Sequence, residues 1–251
     1  MSRWLLTRPK KPKKIEHPRL SRPPYVSRHP GRDVLVLGSG PSLGPHRHEL
    51  YQLIQERELL VMGANHITPF ITPDYHAFTN RARFHDFAAT INPSKSRVLL
   101  CPYLPEWVIK ARYRGPYELL MFRNDPEAPF DIIDGVIQSD CRSVAVLSIG
   151  VAIVMGARRI FVAGIDGFRR LIAEGAATHY ADTPLEHSRE QREAFERYYL
   201  GRTEETARAL RSVRDYMLRK GLEPFTMVTP TDYDEHYQPI GQFLHATREA
   251  A

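Results

Sequence analysis

Residues 33–43 read Asp-Val-Leu-Val-Leu-Gly-Ser-Gly-Pro-Ser-Leu, an apolar run that ends in Gly38-Ser39-Gly40 and then Pro41 and Ser42. The run has the length and β-branched content of a buried strand. Two glycines one residue apart permit a tight turn and close approach of a ligand to backbone. Pro41 suits the first turn of a following helix. Strand, glycine-rich turn and helix N-terminus together make an anion cradle, because unpaired N–H groups and the helix dipole point at the ligand. The chemistry expected here is binding of a nucleotide phosphate; a strand-to-helix turn with no ligand is the alternative. The dinucleotide fingerprint is incomplete: Leu43 stands where a third glycine belongs, and the second apolar run is followed by Gly63-Ala64-Asn65 rather than an acid. Asn65 can donate and accept hydrogen bonds, so it suits a base, a sugar or a phosphate.

The cradle needs a sheet behind it. The apolar runs Leu59–Met62, Tyr75–Phe78, Arg97–Cys101, Ile160–Ala163 and Phe225–Val228 read as further strands. Glu49–Glu58 reads as a helix, and Ser143–Met155 as a buried helix capped by Gly156. Ser188–Tyr199 and Thr203–Lys220 read as two helices, with Thr203 as a start signal and Gly221 as a stop. Residues 102–140 carry no clear pattern beyond a short run at Leu119–Phe122, and 167–188 read as a loop or lid. Strand and helix in alternation predict an α/β fold: a Rossmann-like, mainly parallel sheet with helices on both faces and a small lid. Ligands of such sheets bind beyond the C-terminal strand ends. Gly38-Ser39-Gly40, Asn65, Asn80-Arg81 and Asp166 all fall there.

The 251 residues suit one such domain, and the charge is unevenly placed. Residues 1–32 hold ten Lys or Arg and one acid, Glu16, so this segment carries +9 and the remainder −3 within a net +6. With six prolines it is expected to be a disordered basic tail, followed by a Rossmann-like nucleotide-binding domain over 33–230 and a C-terminal tail over 231–251. Such a tail suits anionic lipid, nucleic acid or an acidic partner. Trp4-Leu5-Leu6 favour an anionic membrane surface, and a merely solvated tail is the alternative. No aromatic-basic interleaving in the rest of the chain argues for nucleic acid. No run is long enough to span a bilayer and no signal-peptide core is present, so a cytoplasmic location is expected, with peripheral contact at the inner membrane surface through 1–32. Cys101 and Cys141 make neither a disulfide framework nor a zinc site.

Gly38-Ser39-Gly40-Pro41-Ser42-Leu43, Gly63-Ala64-Asn65 and the block Ser143–Asp166 resemble two related groups, over residues 33–228 with a poor match between 84 and 140. One is the bacterial sialyltransferases that use CMP-sialic acid. The other comprises domains like the archaeal hydroxymethyl-dihydropterin diphosphokinase, including flagellin glycosylation factors. The resemblance implies nucleotide binding by Gly38, Ser39, Gly40 and Asn65, with Pro41, Ser42, Asn80, Arg81 and Ser143 completing the expected set. The middle loop residue of the sialyltransferases is Asn, and is Ser39 here. Their histidine base falls on Tyr198. The paired acids of the diphosphokinases are absent from Tyr75–Arg81.

The expected function is therefore a glycosyltransferase of sialyltransferase type. It uses a nucleotide-activated sugar, a CMP-sugar among the options, and a glycan or lipid acceptor in surface-glycan or glycolipid assembly. No metal and no separate cofactor is expected; Asp232-Tyr233-Asp234 matches a metal motif only superficially. Diphosphokinase-type phosphoryl transfer and a non-catalytic nucleotide-sugar-binding protein are the alternatives. Thr178-His179-Tyr180 resembles a Thr-His-Ala element of the wider group. His179 or His187 could act as general base, and His179 is the choice. Asp166 could orient a base or a sugar hydroxyl, or cap the strand end. Arg81 and Arg83 could neutralise a leaving phosphate, or stand solvated at a helix start. Tyr198 and Tyr199 could replace the lost histidine, or serve helix packing. The sequence leaves the oligomeric state open.

Overall fold

The computed structural model describes residues 21–125, 128–139, 143–175 and 189–244. Its centre is a seven-stranded, wholly parallel sheet of β1 (Val34–Leu37), β2 (Leu60–Ala64), β3 (Tyr75–Phe78), β4 (Arg97–Leu100), β5 (Tyr117–Leu119), β9 (Ile160–Ala163) and β10 (Thr226–Met227). The order is β10-β9-β1-β2-β3-β4-β5. The chain runs outward from β1 to β5, then returns to the other side of β1, so the strand order reverses between β1 and β9. That crevice is where open parallel sheets bind ligands.

Side chains alternate across the central strands, as the two-residue period requires. Val34, Val36, Met62, Ile160 and Val162 join the larger core. Into it pack α2 (Arg81–Phe87), α3 (Glu106–Arg112), α4 (Val144–Val154) and α6 (Arg189–Arg219). Leu35, Leu37, Val61, Phe161 and Ala163 face the other way, against Leu50 and Leu53 of α1 (Arg47–Arg57). The protein is thus the Rossmann-like α/β fold that the sequence predicts, with helices on both faces.

Several elements differ from expectation. The unassigned region holds a second sheet of three short strands, in the order β6 (Phe122–Asn124), β8 (Val136–Ser139), β7 (Asp131–Ile133). The two expected C-terminal helices are one, α6. Thr203 does not cap a helix start: its hydroxyl donates to the Tyr199 carbonyl one turn back (3.1 Å) and accepts from the Phe168 N–H (3.1 Å). Gly201 sits in open space and does not break the helix.

The packed fold also extends past both expected edges. Residues 1–20 lie outside the described residues. Tyr25, placed by sequence in a free tail, is 0% exposed and accepts the Met121 N–H at its hydroxyl (3.0 Å). Ser27, His29 and Gly31 donate to the carbonyls of Val154, Met155 and Gly156. At the other end Tyr233, His236 and Ile240 are buried. The physical reason is the same at both edges: isolated apolar residues among prolines and charges show no periodicity, yet each fills a gap at the margin of the core. Among the described residues no helix is long and apolar enough to cross a membrane.

Candidate functional site

A cleft of about 270 Å³ opens at the β1/β9 crevice. One wall is Gly38, Ser39 and Gly40 from the β1 exit, with Asn65 from the β2 exit and Asn80 and Arg83 from the β3 exit. The floor includes Asp166 and the start of α4, at Ser143, Val144 and Ala145. The far wall is Phe168 with Tyr198, Tyr199 and Arg202 of α6.

The glycine loop is not the open cradle that its sequence suggests. The Gly38 N–H donates to the Ala163 carbonyl (2.8 Å) and the Gly40 N–H to that of Gly164 (2.8 Å). A Cβ on Gly38 would overlap the Gly164 carbonyl, and one on Gly40 would overlap the Asp166 carboxylate. Both positions are therefore glycine because the β9 exit passes directly beneath them, whatever lies above. The Ser39 N–H alone in this turn has no partner among the described residues. Pro41 opens a 3-10 turn, Pro41–Leu43, and α1 starts only at Arg47, so the helix that follows the loop does not aim its N-terminus into the cleft.

A different helix does. Ser143 gives α4 no side-chain cap, and the N–H groups of Val144, Ala145 and Val146 have no partner among the described residues. The first-turn amides of an eleven-residue helix thus meet the cleft, which favours an anion there.

Asp166 and Ser42 form a buried clamp behind the loop. The Asp166 carboxylate accepts the Ser42 N–H (2.8 Å) and hydroxyl (2.5 Å). The Ser42 oxygen in turn lies 3.0 Å from the Thr229 hydroxyl, which accepts the Gly164 N–H (3.1 Å). Burial raises the Asp166 carboxyl to about 6, against the Ser42 hydrogen bonds that lower it. With its oxygens engaged this way, Asp166 holds loop geometry rather than standing free as a base.

Asn65 is the least satisfied group of the site. Its backbone is left-handed (φ 52°), with the N–H donated to Ala77 (3.1 Å) and the carbonyl accepting from Ile67 (3.0 Å) and His76 Nε2 (2.6 Å). Its side-chain oxygen is buried and has no partner among the described residues. Such an atom can take a hydrogen bond from a ligand or a water.

Of the residues expected from sequence, Gly38, Ser39, Gly40, Asn65, Asn80, Ser143, Asp166 and Tyr198 line the cleft. Pro41 and Ser42 lie behind it. Arg81 turns away and stacks its guanidinium over Trp107 (4.6 Å), while Arg83 takes the cleft position. Asn80 caps α2, its side chain accepting the N–H groups of Ala82 (2.8 Å) and Arg83 (3.1 Å). Tyr198 is 63% exposed, its ring edge-on to Tyr199 (5.1 Å). His179 and His187 lie outside the described residues. Sequence reasoning missed the α4 amides, Phe168, Arg202 and His76. Only His76 left a signal, as an ionisable residue inside a four-residue strand that is otherwise apolar. Asp232, of the superficial metal motif, accepts the Arg169 N–H (2.7 Å) at the start of α5 (Arg169–Ala173).

The fold is shared with a solved protein. The chain is similar to the sialyltransferase CstII from Campylobacter jejuni, determined with the substrate analogue CMP-3FNeuAc, at a TM-score of 0.50 and 12% identity over 86% of this chain and 89% of that one. It is also similar to the MAf glycosyltransferase from Magnetospirillum magneticum AMB-1, at a TM-score of 0.43 and 17% identity over 71% of this chain. There it spans 32% of the longer protein's length. No family model and no curated protein matches the chain. At 12% identity the likeness to CstII is one of fold.

Proposed function

We propose that the protein is a glycosyltransferase that draws on a nucleotide-activated sugar, bound in the β1/β9 cleft. The observation that carries this reading is the pairing of opposite needs within one cleft. Among the described residues the α4 amides and the Ser39 N–H lack acceptors, and the buried Asn65 side-chain oxygen lacks a donor. A nucleotide supplies both, a phosphate for the amides and an amino or hydroxyl group for Asn65. The resemblance at Gly38–Leu43 makes a CMP-sugar the first donor to test, with a glycan or lipid hydroxyl as acceptor. In the transfer, the acceptor oxygen bonds to the anomeric carbon as the bond to the nucleotide phosphate breaks. The hydroxyl proton passes to a base, which we assign to His179, and the phosphate leaves toward the α4 amides and Arg83. We propose a transfer without a metal ion. Asp166, the one acid among the described residues lining the cleft, is already bonded to Ser42, and those residues contain no three-ligand cluster.

Thermal denaturation with CMP, UDP, GDP, ATP and NAD tests the binding step. A nucleotide at a hundred times its Kd stabilises the fold by about 2.7 kcal/mol and raises Tm accordingly. Asn65→Gly, which keeps the left-handed backbone and deletes the amide, is expected to weaken that nucleotide about tenfold. No Tm shift with any nucleotide would sink the reading. Binding of a nucleotide-sugar with neither transfer nor hydrolysis would favour the non-catalytic alternative.

A further inference from the structure

Among the described residues His76 does not line the cleft, yet its one polar bond goes to the residue that the cleft leaves unsatisfied. The side chain is 0% exposed, in the centre of β3, with its ring packed on Phe78 (centroids 4.5 Å). Nε2 lies 2.6 Å from the Asn65 carbonyl oxygen. A carbonyl can only accept, so Nε2 carries the proton and Nδ1 is left as a bare acceptor. Nδ1 is buried and has no partner among the described residues. For packing alone, a phenylalanine or leucine would serve this position without an orphaned nitrogen. What histidine adds is one hydrogen bond, and it ends on a non-glycine residue in the left-handed region.

We infer that His76 is a positioning residue of the nucleotide site: its Nε2–H pins the Asn65 carbonyl, and the pinned left-handed turn aims the Asn65 amide into the cleft. The Asn65 backbone is held on both sides, by Ala77 through its N–H and by His76 and Ile67 through its carbonyl. Rotation of that peptide would swing the side-chain oxygen out of the place where a ligand donor meets it. His76 takes no part in proton transfer on this account, since its free nitrogen faces the protein interior. The inference rests on the nucleotide reading for its functional consequence, and on geometry alone for its structural one.

The test is a double-mutant cycle on the full chain, with CMP, UDP and GDP titrated calorimetrically into each variant. His76→Phe is expected to raise the Kd of whichever probe binds the wild type about tenfold. In an Asn65→Gly background the same change is expected to alter Kd by less than about twofold, because the amide it positions is gone. His76→Gln, whose terminal amide can reach the place of Nε2, should recover most of the affinity, and it keeps the test available if the Phe variant folds poorly. NMR of the ligand-free protein supplies the arm independent of nucleotide. The Asn65 side-chain amide signals should shift and broaden in His76→Phe and return in His76→Gln. Unchanged Asn65 signals, or an equal loss of affinity in both backgrounds, overturns the inference. A wild type that binds no probe but shows the Asn65 response overturns the nucleotide reading and leaves the positioning intact.

Discussion

The two ends of the central sheet treat buried polarity in opposite ways. At the N-terminal ends of β1 and β3 several charged groups are paired. Arg28 donates to Glu118 (2.8 Å), to the Tyr75 hydroxyl (3.3 Å) and to the Pro24 carbonyl (3.1 Å). His29 Nε2 reaches the same Tyr75 hydroxyl (2.9 Å), and Asp33 holds Arg158 through both oxygens (2.9 and 3.1 Å). At the cleft the Asn65 side-chain oxygen and the first amides of α4 have no partner among the described residues. Both ends belong to the same strands and the same core, so the difference is not one of packing quality. One end closes the fold, and the other withholds partners that a ligand can supply. Unpaired buried groups cost stability, and those at the cleft are the ones a ligand can reach; His236 Nε2, against Phe225, lacks a hydrogen bond among the described residues away from it.

The largest expected effect separates the ends directly. Tyr25 anchors the segment that completes the closed end, and burial pushes its hydroxyl up to about 12. Tyr25→Ala removes a fully buried ring and orphans the Met121 N–H, so it should cost ~3–5 kcal/mol, read as a lowered urea midpoint. A chain beginning at Arg32 should lose a similar amount. Nucleotide affinity of the surviving folded protein should change less than about twofold, because the cleft lies at the other end. A large change in Kd would show that the two ends are not separable.

Next in size are two pH effects at the open end. Burial raises Asp166 to about 6, so the folded state holds its proton more tightly than the unfolded chain does. Its contribution is complete below the unfolded value of about 3.9 and lost as pH rises through about 6. Burial lowers His76 to about 4, against the Asn65 carbonyl bond that raises it. Its contribution is complete above the unfolded value of about 6.5 and lost as pH falls through about 4. The two slopes oppose each other and largely cancel in the wild type. Asp166→Asn should expose the His76 slope, with stability rising ~2–3 kcal/mol more than the wild type's as pH goes from about 4 to 6.5. His76→Gln should expose the reverse slope. Parallel pH curves for all three proteins would remove the basis for treating these as opposed buried groups.

How much of this was legible in the sequence follows the range of the interactions. β1, β3 and β9 are short apolar runs closed by Gly, Asn or Pro signals, and the expected spans of β3 and β9 coincide with those observed. The convergence of Gly38–Gly40, Asn65, Asn80 and Asp166 at one sheet edge was also readable, since it follows from strand order alone. Their roles were not. That Gly40 is small because Asp166 lies beneath it depends on β9 lying beside β1, across more than a hundred residues. The α4 amides are backbone and leave no residue signature. Thr203 misled because its hydroxyl has two local options, a cap or a bond one turn back, and the partner Phe168 N–H that favours the second is remote in sequence. Strands of three residues, such as β5, β6 and β7, are too short for a period-two pattern to register.

The smallest expected effect on stability sharpens the open end most. Tyr198 stands at the cleft mouth, its ring mostly in solvent and in edge contact with Tyr199. Tyr198→Phe removes one exposed hydroxyl and no packing, so folding stability should stay within about 0.5 kcal/mol of the wild type. That neutrality makes any functional change easy to assign, since a hydroxyl with no role in the fold acts only through what enters the cleft. If it donates to the departing phosphate, transfer from the nucleotide-sugar should slow with Kd nearly unchanged, because the interaction strengthens as charge develops. A rise in Kd with an unchanged rate would instead make Tyr198 part of ground-state binding. If neither parameter moves, Tyr198 drops out of the site and the far wall reduces to Phe168, Tyr199 and Arg202, leaving His179 as the remaining assignment for proton transfer.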